Sequence, residues 1–233
     1  MREIKKTENK LVFEAEITEN LANAIRRYAN KIPVIAIDEV EISRNDSPLY
    51  DETVAHRIGL IPLKQGKKDA KLTLNVKKDG FVYSGEMEGD LEVVYKKIPI
   101  TLLDKNQELE LVAFTKAGTG DEHAKFSPGI ISYRDVVEIT MDKGCAEKVK
   151  KVIPEVEIKM KGNSALIIDN SEREVCDICE GICEKDGKEI EVKSTKDLVI
   201  SVESFGQIKT NEIFKKAIEY LVKDLDEFAK KIK

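Results

Sequence analysis

Residues 51–63 (D-E-T-V-A-H-R-I-G-L-I-P-L) require a short helix to stop and an extended chain to begin within one stretch. Asp51 is expected to accept a hydrogen bond from the free amides of a first helical turn, and Glu52 adds negative charge at the positive end of the helix dipole. Val54, Ala55 and Ile58 share one helical face. Gly59 is predicted to take the left-handed backbone that ends a helix, and the apolar run after it carries Pro62, which rules out more helix. The stretch therefore reads as a joint between two structural units.

On either side of the joint the apolar period alternates between helix and strand. Leu11, Phe13, Ala15 and Ile17 alternate with Val12, Glu14 and Glu16, predicting a strand with one buried face. Thr18 or Asn20 can then cap a helix with Leu21, Ala24, Ile25 and Tyr28 on its apolar stripe and Arg26 and Arg27 beside it. A second strand runs through Ile35, Ile37 and Ile42, and residues 44–48 (R-N-D-S-P) have turn chemistry. Beyond the joint come short strands: Leu72, Leu74 and Val76; residues 81–85; residues 98–103; residues 109–116; and Val136, Glu138 and Thr140. Residues 118–129 (G-T-G-D-E-H-A-K-F-S-P-G) form a loop. After a cysteine-bearing stretch, Leu198, Ile200 and Val202 alternate again. A helix over residues 210–232 follows, about 34 Å long at the usual rise, with Phe214, Ala217, Ile218, Leu221, Leu225, Phe228 and Ile232 in one stripe. That stripe exceeds what the preceding strands need, and the surplus predicts a partner interface.

The charge balance narrows the function. Lys plus Arg at 39 against Asp plus Glu at 44 gives a formal charge of −5, the wrong sign for a chain that grips nucleic acid through its own surface. The charged N-terminal segment has no apolar h-region behind it and no stretch approaches a membrane span, so a cytoplasmic location is expected. His56 lacks the nucleophile setting that hydrolysis needs, and no G-x-S-x-G elbow or phosphate-binding glycine loop is present. His56, Arg57 and His123 are therefore expected to be structural, with Arg57 bonded to carbonyls or to a carboxylate on a neighbouring subunit.

The four cysteines carry the one metal signal. Cys176 and Cys179 form a C-x-x-C pair, Cys183 can add a third thiolate, and Cys145 is the remaining thiol. The readings open at this point are one iron–sulfur cluster on Cys176, Cys179 and Cys183 with or without Cys145, a four-thiolate zinc, or reduced thiols with no metal. The surrounding stretch has few large apolar residues, so a bound metal is expected to be what holds it folded.

Three segments in one order, A-N-A-I-R-R-Y (residues 22–28), I-P-V-I-A-I-D-E-V-E-I (32–42) and N-D-S-P-L-Y-D-E-T-V-A-H-R-I-G-L-I-P-L (45–63), closely resemble the D-subunit family of archaeal RNA polymerase, related to bacterial alpha and to the third-largest eukaryotic polymerase chain. H-A-K-F-S-P (123–128) extends the likeness. The resemblance implies an α+β fold: a discontinuous alpha-subunit-like dimerisation domain (1–42 and 196–233), an inserted mostly-β domain (43–141 and 188–195), and a small cysteine-bearing ferredoxin-like or degenerate module (142–187). It implies a non-catalytic assembly platform that pairs with subunit L and docks the large catalytic subunits and other small assembly subunits, with no direct DNA binding. The partner surface is expected to include Arg26, Arg27, His56, Arg57, Phe214, Leu221, Leu225 and Phe228. Some members carry two runs of C-x-x-C-x-x-C-x-x-x-C-P in the cysteine module. Here Cys183 comes one residue late for the run and no proline follows it, so two clusters are excluded by ligand count. The sequence also lacks N-A-D-F-D-G-D, the carboxylate cluster that holds the catalytic magnesium in the largest polymerase chain. The rival classes are an iron–sulfur electron-transfer protein and a zinc-binding interaction module.

Overall fold

The structure, a computed structural model, describes residues 1–232. In chain order the strands and helices begin with β1 (Arg2–Lys6), β2 (Lys10–Ala15), α1 (Glu19–Tyr28), β3 (Val34–Asn45) and α2 (Asp51–Gly59). Next come β4 (Lys71–Lys77), β5 (Gly80–Tyr83), β6 (Glu88–Gly89), β7 (Pro99–Leu103), β8 (Glu108–Gly118) and β9 (Gly129–Asp142). The chain continues through α3 (Lys143–Val152), β10 (Ile158–Lys161), β11 (Ser164–Asp169), α4 (Cys176–Lys185), β12 (Ile190–Ser204) and α5 (Thr210–Ile232). The α+β expectation holds, and the contacts divide the chain into two compact units.

One unit comprises Met1–Ala24 and Ile131–Val202. Its six-stranded sheet has the order β1-β2-β12-β9-β11-β10. The run β9-α3-β10-β11-α4-β12 is a β-α-β-β-α-β series with its first strand next to its last and its third. Helices α3 and α4 pack together over Ile139, Met141, Ala165 and Ile167. This corrects the expectation of a module with little to bury. The Lys-rich texture of residues 143–153 hides Cys145, Val149 and Ile153 at i, i+4 and i+8, all buried on one face of α3 or just past its end. The opposite face of the sheet holds Val12, Val136 and Val199, so β2 is buried on both sides, where alternation predicted one. β1, unforeseen in so charged a segment, pairs antiparallel with β2.

The other unit comprises Ile25–Ile130 and the chain from Glu203 onward. Its four-stranded sheet runs β3-β8-β4-β6, and a two-stranded sheet pairs β5 with β7. Val54 and Ile58 of α2, both fully buried, join Ile37, Leu63, Leu72, Leu111 and Leu103 in the main core. The joint exists, but its chemistry differs from the expectation in two places. Asp51 is the first helical residue and Tyr50 the cap position, with no side-chain cap bond; the Asp51 carboxylate accepts instead from Asn45 Nδ2 at 2.7 Å. Gly59 has no positive φ, and the helix closes through tight Leu60 N–Arg57 O (3.3 Å) and Ile61 N–Ile58 O (3.1 Å) bonds. A Cβ added at Gly59 meets only the Ile37 carbonyl oxygen, at 3.8 Å. Gly59→Ala is therefore expected to stabilise the chain by about 0.4–1 kcal/mol, measured as a higher denaturant midpoint at unchanged m-value.

Candidate functional site

Helix α1 starts on Thr18, whose Oγ1 accepts from Leu21 N at 3.3 Å, one of the two caps expected. Its buried side is Ala22 and Ile25, continued by Ala29 in the turn that follows; Leu21 lies at the surface, so the apolar stripe is rotated by about one residue from the expected one. Arg26 and Arg27 are both exposed. Tyr28 donates to Asp224 Oδ2 of α5 at 3.0 Å; desolvation first, then the Asp224 carboxylate, holds its phenol above the usual value.

Helix α5 changes character along its length. Thr210, Ile213 and Ala217 are buried and Phe214 half-buried, whereas Ile218, Val222, Leu225, Phe228 and Ile232 are exposed, with Leu225 at 57% and Phe228 at 63%. Leu221 is half-buried. Residues 218, 221, 225, 228 and 232 repeat at three and four, the spacing of a two-helix seam.

His56 and Arg57 project from the exposed side of α2. Arg57 Nη2 donates to the Pro99 carbonyl of β7 at 2.6 Å, within this chain, and so fastens α2 to the small sheet. His123 caps a turn, its Nδ1 accepting from Lys125 N at 3.1 Å. Lys125 in turn bonds Asp38 Oδ1 at 2.6 Å, and that ammonium holds the Asp38 carboxyl below its usual value. Neither histidine has a catalytic partner arrangement among the described residues.

The cysteines are core residues. Cys145, Cys179 and Cys183 are at most 1% exposed, packed between α3, α4 and the sheet, and Cys176 lies at the edge of the same cluster. Burial pushes the Cys179 and Cys183 thiols up to about 12 and that of Cys176 to about 11. For Cys179 the neighbouring Cys176 and Cys183 add to the rise; for Cys183 the bond to Cys145 does. Cys176, Cys179 and Cys183 occupy consecutive turns of one regular helix. At about 1.5 Å rise per residue, the outer two are about 10 Å apart along its axis. A zinc holds each thiolate at about 2.3 Å, which brings its sulfurs within about 4 Å of one another. Among the described residues no three Cys, His, Asp or Glu side chains converge as a metal requires. In this arrangement the donors do not converge on a single zinc ion.

Two residues of this unit escaped the sequence reading, Asp169 and Arg134. Asp169 falls on the buried register of β11, its side chain wholly enclosed. It accepts from Arg134 Nη2 at 2.9 Å and, through its other oxygen, from the Val175 and Cys176 amides at 2.9 and 3.3 Å, so it caps α4 from seven residues away. Arg134 also bonds the Asp169 and Ser171 carbonyls. The only sequence signal is a carboxylate where alternation demands an apolar residue.

Residues 35–133, which span β3 to the start of β9, match the RNA polymerase Rpb3/RpoA insert domain family. DNA-directed RNA polymerase subunit Rpo3 of Pyrococcus horikoshii is 34% identical, with 97% of this chain and 94% of the relative covered. The Rpo3 subunits of Pyrococcus furiosus (32%, covering 90% of this chain and 87% of the relative) and Thermococcus kodakarensis (30%, 89% and 87%) are also similar. No helix among the described residues is long and apolar enough to cross a membrane. The chain belongs to the Rpo3 family of archaeal RNA polymerase, the D-subunit family that its sequence resembles.

Proposed function

We propose that the chain is the non-catalytic platform on which the polymerase is assembled in the cytoplasm: it pairs with subunit L through α5 and docks the large catalytic subunits and other small assembly subunits. One observation carries the pairing. The distal half of α5 presents an apolar seam in which Ile218, Leu225, Phe228 and Ile232 are left exposed by its unit, and an exposed apolar stripe of this kind marks a surface that a partner helix or sheet covers. Residues 1–42 and 196–233 form the dimerisation domain in this reading, and residues 43–141 with 188–195 the insertion. Arg26, Arg27 and His56, all exposed, belong to the docking surface. Tagging the chain in its native cell tests the reading directly. Subunit L and both large polymerase subunits are expected in the eluate, and their absence would sink it.

For the cysteine-bearing module we infer reduced thiols. The β-α-β-β-α-β series formed by residues 142–187 with their flanking strands supports reading the module as a degenerate ferredoxin-like one. Its thiols now serve as small apolar side chains. The electron-transfer and zinc-module readings rest on those thiols alone. Raised thiol values favour the folded state, because the ordinary value is 9.0: this stabilisation is whole below pH 9 and fades as pH climbs toward about 12. A disulfide reagent at pH 8 is expected to react with Cys179 and Cys183 about a thousand-fold more slowly in the native chain than in denaturant. Anaerobically purified protein with a band near 400 nm, or with stoichiometric zinc, would contradict the inference.

A further inference from the structure

The turn Ala29–Lys31 that follows α1 packs on α5. Beside that contact a groove of about 290 Å³ opens between Ile32 and Pro33 on one wall and Lys216, Glu219, Tyr220 and Lys223 of α5 on the other. Lys216, Tyr220 and Lys223 stand at i, i+4 and i+7 and so share one stripe of the helix. At about 100° per residue that stripe falls on the side of α5 opposite Leu225, which makes the groove separate from the apolar seam. Ile32 is buried and gives the groove an apolar floor; Lys216 and Tyr220 are half-buried beside it, and Lys223 is exposed at the rim.

The charges around the groove are matched except for two. Lys31 pairs with Asp121 Oδ2 at 2.8 Å, Tyr28 donates to Asp224 Oδ2 at 3.0 Å, and Lys215 pairs with Glu219 Oε1 at 3.8 Å. Among the described residues Lys216 and Lys223 have no ion pair. In a chain of net charge −5, two unmatched ammoniums on one apolar groove are a local excess of positive charge. They stand two helical turns apart, about 10 Å along the axis. The complement is a pair of carboxylates at about that spacing, with an apolar residue between them to meet Ile32, Pro33 and the Tyr220 ring. A phosphodiester strand is a poorer complement, because its charge is continuous and beyond the two lysines it would meet the carboxylates of Asp121, Glu219 and Asp226.

We propose that this groove receives an acidic segment of another polymerase subunit, whose two carboxylates pair with Lys216 and Lys223 while an apolar side chain between them packs on Ile32 and Tyr220. This rests on the assembly reading and adds to it a docking surface on the far side of α5 from the seam. The test uses the full chain, tagged in its native cell. With Lys216→Glu and Lys223→Glu combined, recovery of one other polymerase subunit is expected to fall at least tenfold, with recovery of the seam partner unchanged. A photoreactive phenylalanine analogue at position 220 is expected to cross-link to a segment of that same subunit bearing two Asp or Glu residues, identified by mass spectrometry. Replacing those two residues by Lys is expected to restore recovery on the double variant. Neither lysine is matched within the chain, so the melting temperature of the isolated double variant is expected to hold. If it falls, Lys216→Gln with Lys223→Gln, which keeps most of each stem, is read by the same criteria. Unchanged recovery overturns the proposal, as does a cross-link to nucleic acid, to a second copy of this chain, or to a segment without paired carboxylates. If the wild-type chain recovers no polymerase subunit, the assembly reading fails and the groove with it; if the double variant recovers every subunit normally, the groove alone fails.

Discussion

Replacing Leu225 with Asp is expected to weaken pairing with the small partner subunit at least a hundred-fold, about 3 kcal/mol, while leaving the melting of the isolated chain unchanged. The separation of effects follows from exposure. Leu225 is 57% exposed in the isolated chain, so the carboxylate stays hydrated there. In the pair the same position is the centre of the seam from Ile218 to Ile232, where a charge must be stripped of water with no counter-ion supplied by its own helix face. Leu221, half-buried against its own unit, is the weaker probe: Leu221→Asp is expected to disturb folding as well. Gel filtration of the co-expressed pair measures the outcome. An intact heterodimer with Leu225→Asp would remove α5 from the interface.

The second large effect is expected at a buried ion pair. Asp169→Ala strands Arg134 and uncaps α4 in one step, and breaking such a pair typically costs about 3–5 kcal/mol. Loss of helix signal from the cysteine-bearing unit, together with fast reaction of Cys179 and Cys183 at pH 8, is expected well below the wild-type melting temperature. Asp169→Asn, which keeps one acceptor, is expected to fall in between. The comparison of variants also bears on what holds this module together. If Asp169→Ala melts the module and chelators do not, a carboxylate and a hydrophobic core stabilise it; the reverse pattern would restore a metal to that role.

The two parts of the chain differed in how readily their sequence could be read. Strands such as β4, with Leu72, Leu74 and Val76 on one side, show their period openly because one face meets water. The 23-residue α5 was legible for the same reason. The cysteine-bearing unit was not, because its helices are short and their buried residues are small: Cys145, Ala146, Cys179 and Cys183 do not register as a hydrophobic stripe. Capping failed for a different reason. Local rules look for an acceptor adjacent to the helix, and both α2 and α4 break them, α2 having no side-chain cap bond and α4 drawing its acceptor from the end of β11.

The six-stranded sheet ends on β1 and β10, strands of 5 and 4 residues carrying Arg2, Lys5 and Lys6 on one side and Lys159 and Lys161 on the other. A bulge between Glu3 and Lys5 further breaks the regularity of the first. Short, basic, irregular borders make poor templates for a neighbouring copy. A newly made chain with an uncovered apolar helix is most at risk of aggregation before its partners arrive, and these borders close the other common route to it, edge-to-edge strand addition, during that wait.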